Sequence, residues 1–247
     1  ELIDGTTVDI PVFERLPEHQ MHQVALHRMY MCRQEYRKAG IEKPLLPMYE
    51  GPCRPSHPGA LSDQELADLS VRDSLILIAY GVDRQCGGWC PFDSASYWGE
   101  QHYGGGTCHR LPRATPKPAF AAFGTMTRHL NRKNMTKWLP TGSLSAYTLQ
   151  FAHYKTGELL HVMWTIRGKR PVTLTVPAGS DVVVYDMMDN PVELKKDGRQ
   201  VTFTITSSPC YVRGVKGDPQ IALGEPDHSD AQPAEGAIVL ASLADGD

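Results

Sequence analysis

Nothing in this 247-residue sequence approaches the roughly 18 consecutive apolar residues that a membrane-spanning helix needs. It also lacks any run of lysine and arginine. The 25 basic residues are scattered and outnumbered by 28 acidic ones, which leaves no electrostatic footprint for nucleic acid. There is no G-x-S-x-G elbow and no G-x-G-x-x-G following a strand, which argues against an α/β-hydrolase or a dinucleotide-binding enzyme. Gly104–Gly106 follows a loop and carries little weight. Cysteine is sparse, with six residues at irregular positions. Cys86, Cys90 and the pair Cys108-His109 match no zinc spacing, so the cysteines read as buried free thiols and no metal or cofactor is expected. The chain opens without an initiator methionine or a leader pattern, and "ASLADGD" closes it without a terminal feature. Both ends read as cuts in something longer.

What is present is a composition that is 41% hydrophobic and 21% charged, with net charge -3, sufficient for a real core. The first 130 residues alternate between two grammars. "TVDIPVF" and "LLPMYE" are apolar runs of strand length. "EHQMHQVALHRMYMCRQEYRKA" (18–39) has an approximate helical stripe between Pro17 and Gly40. "SDQELADLSVRDSLILIAY" (62–80) opens on a Ser62/Glu65 capping box and stops at Gly81. "VDRQCGGWCPF" (82–92) is a third strand candidate, followed by a Gly-rich, aromatic loop. "KPAFAAFGTMTRHL" (117–130) is a third helix with Pro118 in its first turn. Strand–helix alternation at this period implies a parallel sheet. From about Ser143 the pattern changes to short runs rich in Val, Thr and aromatics, separated by "KTGE", "PAGSD", "MDNP" and "KDGR". That is the signature of an antiparallel sandwich of about seven strands. The expected fold class is thus α/β plus all-β, with segments 1–140, 141–215 and a linker or truncated module at 216–247.

Three acids recur along the first segment. Glu14, Glu50 and Asp93 each follow an apolar run, at separations of 36 and 43 residues. A (β/α)8 barrel uses about 31 residues per unit before insertions, so these acids fall about one unit apart, side by side at the C-terminal ends of the strands. That rim is where barrels and open α/β sheets place their chemistry. The alternative for each is a solvated loop charge or helix cap. Glu50, at the tip of "KPLLPMYEGP", is the acid for which the functional reading is favoured.

At this point "KPLLPMYEGP", "LSVRDSLILIAYGVDR", "GGWCPFDSASYWGEQHYGGG" and "PKPAFAAFGTMTRHL" resemble the C-terminal part of a clan A retaining glycoside hydrolase, strands six to eight of its (β/α)8 (TIM) barrel. The runs from "YTLQF" to "CYVRG" resemble the β-sandwich that follows the barrel in many of these enzymes. The resemblance spans about residues 1–215. It implies that Glu50, at the tip of strand seven, is the catalytic nucleophile. It places Trp89, Tyr97 and Trp98 as stacking surfaces for sugar rings, and Asp93 and His102, with Glu100, as partners for sugar hydroxyls. It implies an oligo- or polysaccharide substrate with β-linkages and an extracellular or periplasmic parent. No oligomeric state follows from it. The family's acid/base should lie about 90 residues upstream of Glu50, before Glu1, so the chain is expected to be a fragment inactive by itself. The competing expectation is a non-catalytic carbohydrate-binding or structural protein working through its sandwich.

Overall fold

The computed structural model describes residues 6–11, 17–20, 24–42, 45–50, 62–82, 86–87, 94–95, 102–103, 107–109, 113 and 115–229. The first half begins with β1 (Thr6–Pro11), α1 (Pro17–Gln20), α2 (Val24–Lys38), β2 (Leu45–Glu50), α3 (Asp63–Ala79) and β3 (Cys86–Gly87). Two short ladders follow, β4 (Ser94–Ala95) with β5 (His102–Tyr103) and β6 (Cys108–His109) with β7 (Thr115–Pro116), and then α4 (Pro118–Leu130). Strands β1, β2 and β3 form one parallel sheet in that order, with Thr6 opposite Leu45, Pro11 opposite Glu50, and Met48 and Tyr49 opposite Cys86 and Gly87. The expected alternation is therefore present. Of the expected run 82–92, Cys86–Gly87 is strand, Val82 is buried but outside any strand, and the rest lies outside the described residues.

The helix ends follow the local chemistry. Ser62 Oγ accepts from the Glu65 amide at 3.2 Å, and the Glu65 carboxylate accepts from the Ser62 amide at 2.7 Å. This reciprocal pair satisfies two otherwise orphaned donors. Pro118 occupies the first turn of α4, where its missing N–H costs nothing. Helix α3 is buried continuously from Leu66 to Leu77, including Asp68, Ser70, Arg72, Asp73 and Ser74. No helix among the described residues is long and apolar enough to cross a membrane.

The second half is entirely antiparallel, with β8 (Lys133–Trp138), β9 (Ala146–His153), β10 (Leu159–Thr165), β11 (Arg170–Thr175), β12 (Val183–Tyr185), β13 (Lys195–Asp197), β14 (Gln200–Ile205), β15 (Cys210–Arg213) and β16 (Gln220–Leu223). One sheet runs β12-β15-β10-β9-β8, the other β13-β14-β11-β16. Two strands exceed the expected seven, and both lie outside the expected sandwich limits. Strand β8 begins at Lys133, before the 141 boundary. The exposed Lys137 and a register shift between Met135 and Lys137 break the two-residue alternation. Strand β16 lies within the segment expected to be a linker. It pairs with β11, Gln220 opposite Thr175 and Leu223 opposite Val172, so the sandwich runs beyond 215. Residues 230–247 lie outside the described residues.

The inner strands of the five-stranded sheet, β9, β10 and β15, are buried on both faces. Leu149, Phe151, Leu160, Val162, Trp164 and Tyr211 face one core with Ala67, Val71, Leu75 and Ile76 of α3 and Ala119, Ala122 and Met126 of α4. Ala146, Met163, Cys210 and Val212 face the other, against Val172, Leu174, Val201, Phe203 and Ile205 of the second sheet. The order is therefore helix layer, sheet, sheet. Helix α4 is further held where His129 stacks on Tyr211, with ring centroids 4.4 Å apart, and meets the Asp189 carboxylate at 2.9 Å. Arg128 pairs with the same carboxylate. The free thiol of Cys210 is buried and burial pushes it up to about 12, whereas Cys32 and Cys108 are free but only partly buried.

A polar network joins the buried Gln150 and His161 to the exposed Asp218. Gln150 Nε2 donates to Asp218 Oδ1 at 2.7 Å and faces His161 Nε2 at 3.2 Å, and Gln150 Oε1 accepts from Thr136 Oγ1 at 2.8 Å. With both amide protons of Gln150 so used, His161 Nε2 is the acceptor and Nδ1 carries the proton. Burial lowers the His161 pKa to about 4, partly offset by the Asp218 carboxylate. Protonating it would also set two donors against each other.

Two predictions follow from the packing. The native state holds His161 neutral, whereas the unfolded chain protonates it near 6.5. Stability from this group is complete above about 6.5 and is lost as pH falls toward 4, a drop of about 3 kcal/mol. Urea midpoints measured from pH 7 to 4 should show this slope, and His161→Gln should flatten it. Gly214 has φ +81°, and a Cβ there would overlap the Asp181 carbonyl, whereas Gly179 at φ +79° faces open space. Gly214→Ala should cost several times the roughly 1 kcal/mol of Gly179→Ala, read as a difference in melting temperature.

Candidate functional site

The C-terminal ends of the parallel strands lie at Pro11, Glu50 and Gly87. Glu50 is the last residue of the middle strand, in register with Pro11. The apolar run Leu45–Tyr49 makes a strand, and Gly51-Pro52 follows it in the sequence. An acid at that position stands at the end of the sheet where α/β proteins bind ligands. The backbone places His102 in β5, opposite Ala95 of β4. The side chains of Glu50 and His102 are not described. Trp89, Asp93, Tyr97 and Trp98, together with Glu14 and Glu100, lie outside the described residues. Among the described residues no group of three or more His, Cys, Asp or Glu side chains could hold a metal ion.

The described part of this region contains an acid that sequence reasoning missed. Glu18, at the start of α1, is 1% exposed. Its Oε1 accepts from Trp164 Nε1 of β10 at 2.7 Å and lies 2.8 Å from Arg72 Nε of α3. Arg72 is 2% exposed, and its Nη1 donates to the Ser207 carbonyl at 3.0 Å. One turn earlier on α3, the Asp68 carboxylate accepts from Ser207 Oγ and Ser208 Oγ, both at 2.6 Å, and from Gln64 Nε2 at 2.9 Å. Gln64, Asp68 and Arg72 are spaced by four, so they share one face of α3, turned toward the 206–209 turn of the sandwich. The signal was present in "DQELADLSVRDSLILIA": an Asp and an Arg one turn apart, among the apolar residues Leu66, Ala67, Leu69 and Val71. Read alone, such a pair is as consistent with a solvated face as with a buried one.

An aromatic row continues from this cluster. Trp164 stacks on Tyr147 at 5.3 Å, Tyr147 meets Trp138 edge-on at 6.4 Å, and Trp138 meets Tyr80 at 6.4 Å. Burial raises the Tyr147 and Tyr80 pKa values, and for Tyr147 the Glu18 charge adds to the effect. These rings join the C-terminal end of α3 to β8, β9 and β10.

No protein-family model matches the sequence, and no curated relative matches it. At the level of structure, the chain is similar to a family 39 glycoside hydrolase from the gut symbiont Bacteroides cellulosilyticus WH2, with a TM-score of 0.69 and 15% identity. That similarity covers 86% of this chain and 44% of the other, so the chain spans less than half the length of that protein. Looser likenesses reach the catalytic domain of GH30 xylanase C from Talaromyces cellulolyticus (TM-score 0.40, 10% identity, 80% of this chain and 57% of that one) and an α-amylase from H. orenii (TM-score 0.40, 9% identity, 85% and 53%). Scores at that level carry no argument. The chain is a mixed α/β structure with antiparallel sheets that resembles part of a glycoside hydrolase.

Glu18→Gln should cost about 3–5 kcal/mol, because it leaves Arg72 as an uncompensated buried charge. Trp164→Phe, which keeps the ring but removes one charge-assisted hydrogen bond, should cost about 1.5–3 kcal/mol. Urea unfolding of each variant checks the order.

Proposed function

We propose that this chain is the C-terminal portion of a retaining glycoside hydrolase that cleaves O-glycosidic bonds in β-linked oligo- or polysaccharides, with Glu50 as its nucleophile. In this reading β1, β2 and β3 are strands six to eight of a (β/α)8 barrel, and β8 to β16 are the sandwich that follows it. The single observation that carries the reading is the position of Glu50: an acid ending the middle of three parallel strands, in a chain whose fold is similar to a family 39 glycoside hydrolase.

The chemistry fits that placement. Retaining glycosidases use two carboxyl groups about 5–5.5 Å apart. The ionised one attacks the anomeric carbon while the other, kept protonated, delivers its proton to the departing oxygen. Water then cleaves the glycosyl-enzyme ester, with the second group acting as base. Glu50 takes the nucleophile's part, and the partner acid belongs to an earlier strand of the barrel. Trp89, Tyr97 and Trp98 supply aromatic faces for the apolar faces of sugar rings, and Asp93 and His102 bond to hydroxyls.

Glu50→Ala in the full-length protein should abolish turnover of an activated aryl β-glycoside. Added azide should partly restore it, because a small anion can enter the vacated face. The product of a nucleophile variant is a glycosyl azide of inverted configuration, whereas an acid/base variant gives the retained one. Polarimetry or NMR of the adduct assigns the role. Undiminished turnover by Glu50→Ala would refute the assignment.

A further inference from the structure

Glu50 ends β2, and α3 is the helix that follows it. Pro11 ends the neighbouring β1, and α1 follows that strand. Both following helices are tied to one point on the sandwich. Glu18 of α1 accepts from Trp164 at 2.7 Å and meets Arg72 of α3 at 2.8 Å, while Arg72 and Asp68 grip Ser207 and Ser208 at 2.6–3.0 Å. Glu18, Asp68, Arg72 and Trp164 are all at most 4% exposed. Stability alone does not call for charges here, since apolar residues of similar volume fill such a site equally well or better. Directional bonds from Arg72 Nη1 to the Ser207 carbonyl and from two serine hydroxyls to Asp68 instead admit one axial position of α3, whereas apolar contact tolerates sliding.

We infer that Glu18, Asp68, Arg72 and Trp164 are positioning residues for the rim, through which the β-sandwich sets where α1 and α3, and with them the ends of β1 and β2, come to rest. On this view the sandwich belongs to the architecture of the active site and is not a detachable binding module. The inference rests on the glycosidase reading for its kinetic consequence, but the geometric claim stands without it.

The test uses the full-length protein and an activated aryl β-glycoside. The double variant Glu18→Gln/Arg72→Met removes the two paired charges together, so neither partner is left uncompensated, while Asp68 keeps its serine hydroxyls and Gln64, and its urea midpoint should stay near that of the parent. Its kcat should nevertheless fall about 10-fold, because misplacement by a fraction of an ångström is felt at the reacting atoms, while KM changes less than about twofold. A kcat that stays at the parent's value in the folded double variant overturns the inference, since a merely structural clamp is restored along with stability. If the double variant does not fold, Trp164→Phe and Ser208→Ala, assayed at a temperature where each is fully native, must show the same drop in kcat, and unchanged values overturn it. Glu50→Ala runs alongside. If that variant retains full turnover, the glycosidase reading has failed on its own. The clamp is then judged by amide exchange in Leu45–Glu50, which should quicken about 10-fold in the folded variants, and unaltered exchange overturns it.

Discussion

The central constraint is a five-stranded sheet whose inner strands β9, β10 and β15 are buried on both faces. Along β10, Leu160, Val162 and Trp164 point toward the helices, and His161, Met163 and Thr165 toward the second sheet. Burying Leu149, Phe151, Leu160 and Val162 beneath α3 and α4 contributes about 1.5–3 kcal/mol for each side chain. Their sum matches the whole net stability of a typical domain, about 5–15 kcal/mol. The sandwich therefore depends on the helical layer for half of its own core. The helices that flank the parallel strands depend equally on the sandwich.

That mutual burial explains why so many polar groups are found at the junction. A helix covered all round cannot turn its polar side chains to solvent, so each needs a partner inside. Asp68 takes two serine hydroxyls, Arg72 takes Glu18 and a carbonyl, and Glu18 takes an indole N–H. The partners come from segments distant in sequence, with Glu18 and Trp164 separated by 146 residues. The same logic recurs at α4, where His129 is held between Tyr211 and Asp189, and its burial lowers its pKa. Charge placement thus determines which faces meet, while apolar area supplies the stability.

The likeness to a family 39 glycoside hydrolase concerns arrangement, at an identity too low to carry residue roles across. What links arrangement to chemistry is the parallel register. Pro11 and Glu50 end their strands together, with Tyr49 opposite Gly87 on the third strand. The helices α1 and α3, which come after β1 and β2 in the chain, are anchored to the sandwich. The two halves of the chain are coupled through these helices.

Local chemistry was legible in the sequence wherever neighbours along the chain settle the outcome. The Ser62/Glu65 box, the stops at Gly40 and Gly81, the Pro118 start, the alternation of strand and helix up to Leu130 and the change to hairpins afterwards all depend on short-range sterics and hydrogen bonds. The apolar run ending in Glu50 likewise announced an acid at a strand tip. Strand β8 escaped because a bulge and the exposed Lys137 disguise its period, and β16 because a four-residue strand beside glycine and proline resembles a tail until β11 pairs with it. Only the tertiary structure decided that Asp68 and Arg72 are buried and that Glu18 pairs with Arg72 and Trp164. Helical spacing states which residues share a face. Whether that face meets water or another layer depends on contacts between residues far apart in the chain, and these exist only once the layers have packed.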